Sequence, residues 1–355
     1  MCRIRFGIAL PVPVKTSISS LIEEAQRNEL LGFDSIWASD HLLMMPPGPT
    51  PEIWSILAVA ASYTSKATLG SAVSDIHRYH PAVFAQKLAT IDHLSKGRIS
   101  LGLGIGEAMN LEPFGFDWLR KPLAKMIEYI EVLRGLWTMD SFNFNGEFFK
   151  LKNAFLQIKP IQKTIPIYIA ANSPKTRRIT GRIGDGWIPT RETPETYMRN
   201  IEDVKKGAEE ANRSINDIDR GLWIYTAIAD EYNEALNALK AKPIKSMYAI
   251  WPKKIEEAGF KINLPEKYPQ NYYMSKCMPT EEGIRDFEEL ANYVTDDVIE
   301  AFSICGTVDD AIGKIEKYVK AGVTHFMLVN AGPDRLKVME AYSQKIIPYF
   351  KEYKS

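Results

Sequence analysis

Short apolar runs alternate with amphipathic stretches along most of this chain. The runs fall at residues 5–10, 34–38, 67–73, 98–104, 165–171, 185–188, 222–229 and 323–329. Each is four to eight residues long, the size of a buried parallel strand. Between them, apolar positions recur with helical spacing at 17–31, 52–64, 82–94, 121–137, 174–183, 194–211, 231–240 and 308–321, and a closing helix is predicted over 334–350. Punctuation supports several boundaries. Ser17 or Ser19 is placed to cap the first helix and Gly32 lies just past its end, while Pro81 opens the third.

Two segments break the rhythm. FNFNGEFFKL (142–151) sets Asn-Gly between alternating aromatic residues, which predicts a hairpin excursion. Residues 241–295 carry five prolines and many aromatics, among them Trp251, Tyr268, Tyr272 and Tyr273. They read as an insertion that roofs a pocket and sets substrate size, or as an aromatic mini-core or subunit contact. Eight strands with intervening helices predict parallel βα units. An open dinucleotide-binding sheet would carry GxGxxG after its first strand, but that turn is Leu10-Pro11-Val12-Pro13. A single (β/α)8 TIM barrel domain over 1–355, with these two insertions, is the expected fold. Its chemistry then belongs at the C-terminal ends of the strands.

Composition narrows the function classes. Lys+Arg and Asp+Glu both number 44, and no charged block stands out, which argues against nucleic acid or membrane surfaces as partners. Cys2, Cys277 and Cys305 form no CxxC pair, so neither a structural disulfide nor a zinc site is expected. With no apolar run of signal or transmembrane length, a cytoplasmic protein acting on a small molecule is expected.

The predicted strand ends hold the candidate chemistry. Strand two ends in Ser39-Asp40-His41; His41 is either a proton carrier in the barrel mouth or a structural imidazole. Strand four ends in Gly102-Leu103-Gly104-Ile105-Gly106-Glu107-Ala108-Met109-Asn110, where the glycines either present backbone N–H groups to a ligand or form a turn. A barrel would bring Glu107 near His41, and a carboxyl beside an imidazole suits proton handling. Strand three ends in small residues, Gly70 to Asp75, which suit a flat ring or tight packing. Ala170-Ala171-Asn172-Ser173-Pro174 opens a helix, either a phosphate site or a plain cap, with Lys175, Arg177 and Arg178 as added positive charge. Arg191 is a further candidate anion ligand.

Taken with Gly32-Phe33-Asp34-Ser35-Ile36-Trp37-Ala38, Arg78-Tyr79-His80-Pro81-Ala82-Val83, Leu94-Ser95-Lys96-Gly97-Arg98, Pro166-Ile167-Tyr168-Ile169 and Gly184-Asp185-Gly186-Trp187, these segments resemble the bacterial-luciferase-like superfamily, in its branch dependent on the deazaflavin coenzyme F420. Gly106-Glu107-Ala108-Met109-Asn110 looks like the F420-dependent alcohol and glucose-6-phosphate dehydrogenases. The resemblance implies a hydride-transferring homodimer. It places Asp40 at the deazaflavin ring, His41 and Glu107 as acid and base, and a non-proline cis peptide at Ala72-Val73 behind the ring. It puts Ile105, Gly106, Glu107, Ala108 and Asn110 against the coenzyme, and Ala170, Ala171, Asn172 and Ser173 at its phosphate.

The chain also departs from these relatives. Leu42-Leu43-Met44-Met45 stands where the alcohol and sugar-phosphate dehydrogenases carry a tryptophan, and Arg191 stands in a loop where the latter use lysine. Ala9 and Glu107-Ala108 replace an acid and Asp-Lys of the methylenetetrahydromethanopterin reductases. The alternatives are an FMN-dependent monooxygenase of the same superfamily, a reductase of the pterin type, and a non-catalytic flavin-binding barrel.

Overall fold

The computed structural model describes residues 3–14 and 17–353; Cys2 lies outside them. Eight parallel strands close on themselves: β1 (Arg5–Ala9), β2 (Ser35–Ala38), β3 (Thr68–Ser71), β4 (Ile99–Gly104), β5 (Ile167–Ile169), β6 (Gly186–Trp187), β7 (Asp219–Ile228) and β8 (His325–Asn330). Gly7 pairs with Ser35 on one side and Met327 on the other, which completes the circle. The intervening helices include α1 (Ser20–Leu30), α2 (Ile53–Tyr63), α3 (Pro81–Ser95), α4 (Pro122–Thr138), α5 (Pro174–Ile183), α6 (Pro194–Glu210), α7 (Tyr232–Leu239) and α8 (Val308–Lys320). Among the described residues, no helix is long and apolar enough to cross a membrane.

Strand residues alternate between two environments, as a pleat requires. Phe6, Ile8, Leu101, Leu103, Ile167, Ile169 and Leu328 pack in one core with helix residues such as Leu57, Leu88 and Ile315. Trp37, Tyr168 and Met327 face the other way and fill the barrel. Trp37 needs room from its neighbours: a Cβ on Gly7 would lie 2.9 Å from its ring nitrogen, and one on Gly70 would lie 2.5 Å from its ring carbon.

Beneath Trp37, at the N-terminal ends of the strands, lies a polar floor. His325 bridges Asp219 at Nδ1 (2.7 Å) and the Ser35 hydroxyl at Nε2 (2.7 Å). Trp37 Nε1 donates to Ser35 (2.7 Å), the Tyr168 hydroxyl donates to Asp219 (2.8 Å), and Arg5 pairs with Asp219.

Several expectations change. The third strand stops at Ser71; a cis peptide joins Ala72 to Val73, and Ser74–Asp75 resumes pairing with β4. The hairpin forms, but Asn145 pairs with Lys150, so four residues rather than two make its turn. At the first helix, Ser19 is already helical, and the Ser17 hydroxyl accepts from Ser20 N. The insertion runs further than 295. It ends in a ninth parallel strand, Ser303–Gly306, along the upper half of β7, opposite β8. Helices Lys242–Ala249, Pro252–Glu257 and Glu281–Leu290 build a second core around Tyr248, Ile255, Phe287 and Leu290, which also takes Met45 and Met109 from the barrel loops. Cys277 is buried in that core.

Candidate active site

A cavity of about 1060 Å³ opens at the C-terminal ends of the strands. This is at the upper end of the roughly 300–1,000 Å³ typical of small-molecule sites, so a large coenzyme and a small substrate fit together. Asp40, His41, Ala72, Val73, Ile105, Gly106, Glu107, Asn110, Ala170, Asn172 and Ser173 line it. Ala108 and Ala171 do not. Both are fully buried, Ala108 against Leu111 and Trp118, Ala171 in the main core. They support the wall from behind.

His41 and Glu107 meet in its wall. His41 Nδ1 lies 3.1 Å from Glu107 Oε1. Asn110 fastens the pair to the chain. Its Oδ1 accepts from the Leu42 and Leu43 N–H groups (2.6 and 2.8 Å), and its Nδ2 donates to Glu107 Oε1 (2.5 Å) and lies 2.8 Å from His41 Nδ1. Nδ1 can thus give a proton to Glu107 or accept one from Asn110, and the charge state decides. Burial lowers the His41 imidazole, but the hydrogen bond and charge of Glu107, with Asp40, outweigh it and hold it above its usual value. Burial raises the Glu107 carboxyl, but hydrogen bonds from His41, Tyr273 and Asn110 and the imidazole charge bring it below its usual value. Both shifts favour imidazolium beside carboxylate, the state in which Nδ1–H is directed to Glu107.

The glycine run serves packing more than a ligand. Gly102 and Gly104 lie within β4, and Cβ atoms there would approach Ser71 O to 2.0 Å and Val73 Cγ2 to 2.9 Å. They admit the Ala72-Val73 step into the cavity wall. Gly106 alone of the three has a left-handed backbone (φ 85°), which turns the chain toward Glu107.

At the α5 terminus the plain cap is present. Ser173 and Thr176 form a capping box. Arg177 is committed to Asp203 (2.8 Å) and Arg178 lies 3.6 Å from Glu210, so neither offers free charge to a ligand. Asn172, however, lines the cavity with a buried Oδ1 that has no hydrogen-bond partner among the described residues.

Of the aromatics in the insertion, Trp251 and Tyr273 line the cavity, whereas Tyr268 and Tyr272 are buried in the second core. Tyr225 and Tyr248, which no strand-end motif signals, also line it. Met44 faces the cavity and Met45 the second core. Arg191 lines it too. Its Nε donates to Met247 O (2.8 Å), its guanidinium lies over Trp251 (5.7 Å), and no carboxylate is within ion-pairing distance among the described residues.

Residues 4–325 match the family model for luciferase-like monooxygenases. An F420-dependent glucose-6-phosphate dehydrogenase of Amycolatopsis mediterranei is 31% identical over 337 residues, 92% of this chain and 93% of the relative. A 5,10-methylenetetrahydromethanopterin reductase of Archaeoglobus fulgidus is 30% identical over 324 residues, 90% of this chain and 92% of the relative. The solved structure of an F420-dependent secondary alcohol dehydrogenase with an F420-acetone adduct superposes with a TM-score of 0.78 at 26% identity, covering 96% of this chain and 98% of that one. With its closed barrel, its cis Ala72-Val73 step and a sequence match over most of its length, the chain belongs to the luciferase-like family.

Proposed function

We propose that this protein is an F420-dependent oxidoreductase that moves a hydride between the deazaflavin and a small substrate of the alcohol–carbonyl class. The observation that carries the reading is the His41–Glu107 pair in the cavity wall. The relatives named above, which share the coenzyme or its reaction class, support it.

The residues present suit the coenzyme. The Ala72-Val73 step and Gly106 offer a low wall for a flat ring, and the positive end of α5, where Ser173 and Thr176 line the cavity, suits a phosphate. When bound, deazaflavin donates or accepts a hydride and reacts poorly with oxygen. The protein's part is the proton. No described residue bonds His41 Nε2, which leaves that nitrogen to the cavity. In reduction, Nε2–H of the imidazolium delivers a proton to the developing alkoxide, while Nδ1–H stays on Glu107. In oxidation, neutral His41 takes the hydroxyl proton at Nε2, and Glu107 stabilises the resulting imidazolium.

Arg191 sharpens the substrate class. A half-buried guanidinium that faces the cavity without a carboxylate is completed by an anionic group on the substrate. Arg191→Met is expected to raise KM for acidic substrates about 10–100-fold, the equivalent of one charge-assisted hydrogen bond, with little effect on neutral alcohols. Steady-state kinetics on matched hydroxy acids and alcohols read this directly. A homodimer in the cytoplasm accompanies the reading, and light scattering tests the dimer.

The deciding experiment is titration of the purified protein with oxidised F420, followed by a screen of alcohols with the oxidised coenzyme and of carbonyls, imines and pterins with the reduced one. Micromolar F420 binding with turnover is expected. Tight FMN binding with NADH-driven oxygen uptake would replace this reading with a monooxygenase.

A further inference from the structure

One segment that the site chemistry leaves unused is the turn after β3, residues 75–78. Neither His77 nor Arg78 lines the cavity. Both nevertheless reach the backbone that carries the acid–base pair.

Arg78 holds one half. Its Nη2 donates to the carbonyl oxygen of Asp40 (2.9 Å), the peptide that joins Asp40 to His41. Its Nη1 pairs with the Asp40 carboxylate (3.0 Å), and its Nε with Asp75. Ser74 donates to the second Asp40 oxygen (2.5 Å). The guanidinium is thus a three-way fork, 9% exposed, that fixes the plane from which His41 departs.

His77 holds the other half. The Lys125 ammonium donates to its Nδ1 (3.0 Å), which leaves the ring proton on Nε2. Nε2–H then donates to the Ile105 carbonyl (3.1 Å). That peptide leads into Gly106, whose left-handed backbone swings Glu107 into the cavity. A glycine hinge is mobile unless its neighbours are tied. Asp75 ties the two arms together, because one of its oxygens accepts from the N–H groups of both His77 (2.7 Å) and Arg78 (2.9 Å).

We propose that residues 75–78 form a clamp in which Arg78 and His77 act as positioning residues, setting His41 and Glu107 in register with each other. The proposal rests on the acid–base reading of that pair. Misplacement by about 1 Å costs on the order of 10²-fold in rate.

Arg78 has a second, electrostatic effect. His41 is faced by Glu107 and Asn110 from the loop after β4, by Asp40 on its own loop, and by Arg78 from the clamp; Tyr273 and Arg191 stand beyond Glu107. Arg78 opposes protonation of His41, whereas Asp40 favours it. Removing the guanidinium charge shifts His41 upward, and exchanging it for an ammonium does not.

The test uses Arg78→Gln, Arg78→Lys, His77→Leu and His77→Gln in the full chain. The His41 imidazole is titrated by NMR in coenzyme-free protein, so this readout survives even if F420 is not the coenzyme. Arg78→Gln is expected to raise the His41 midpoint and to lower kcat at least about tenfold. Arg78→Lys should leave the midpoint in place while kcat falls at least about tenfold, because the ammonium lacks the fork. His77→Leu should lower kcat about 10²-fold with F420 affinity within about threefold of wild type, and His77→Gln, which can still donate to Ile105, should recover most of it. Folded Arg78→Gln with wild-type kcat, or folded His77→Leu with wild-type kcat, overturns the clamp. Should either of those variants fail to fold, the same readings on Arg78→Lys and His77→Gln decide: wild-type kcat in the lysine variant, or no more than residual kcat in the glutamine variant, overturns it.

Discussion

His41→Ala is expected to lower kcat by about 10²–10⁴-fold, the range that one positioned acid–base group supplies. F420 affinity should change little, since the imidazole acts on the substrate's proton. Glu107→Gln is expected to cost nearly as much, and the double variant little more than either alone, because the two residues act as one unit. The pH dependence separates their roles. The charged pair rests on a raised His41 and a lowered Glu107. Reduction needs protonated His41 and is lost as pH rises through its elevated value. Oxidation needs neutral His41 and is gained over the same interval. In Glu107→Gln the main group that raises His41 is gone while burial remains, so both limbs move to lower pH. Rates against pH in both directions, with fluorescence titration of F420, measure this. Turnover within twofold of wild type in both single variants would remove His41 and Glu107 from the chemistry.

The barrel and the mouth of the site were legible because each rests on local pattern. Apolar runs of strand length, separated by amphipathic helices, imply parallel βα units wherever they occur, and strand ends then mark the cavity. His41 and Glu107 each lie three residues past a strand, with Asn110 on the short helix that follows, so their convergence follows from closure of the barrel. What escaped was set by partners distant in sequence. Gly102 and Gly104 look like a ligand loop until Ser71 and Val73, thirty residues earlier, are seen against them. Arg177 looks like phosphate-binding charge until Asp203 takes it. Ser303–Gly306 is a four-residue strand whose edge is supplied by β7, and four residues carry too little periodicity to announce it. Tyr273 and Tyr272 are adjacent in one aromatic stretch. Only the packing of a short helix decides that the first reaches Glu107 and the second enters the insertion's core.

The largest stability effect is expected far from the chemistry, at Asp219 on the barrel floor. Its carboxylate takes His325, Arg5 and Tyr168. Burial alone would raise it, but the imidazole and guanidinium charges and their hydrogen bonds hold it well below the ordinary carboxylate range. A carboxyl lowered by folding stabilises the native state above its unfolded value, near about 3.9. That contribution is lost as pH falls from there toward the native value. Asp219→Asn removes the anion and leaves Arg5 facing a neutral amide beside a His325 that is 1% exposed. Breaking one side of a buried pair costs about 3–5 kcal/mol. Denaturant unfolding at pH 7 should show this loss in full, and the gap between variant and wild type should narrow below about pH 4, where the Asp219 carboxyl of the unfolded wild-type chain begins to be protonated while the folded one is still ionised. The floor and the mouth sit at opposite ends of the same strands, so kcat per folded molecule should be preserved. A variant of wild-type stability at pH 7 would mean that the floor network adds nothing beyond the apolar packing of Trp37 and Tyr168 above it.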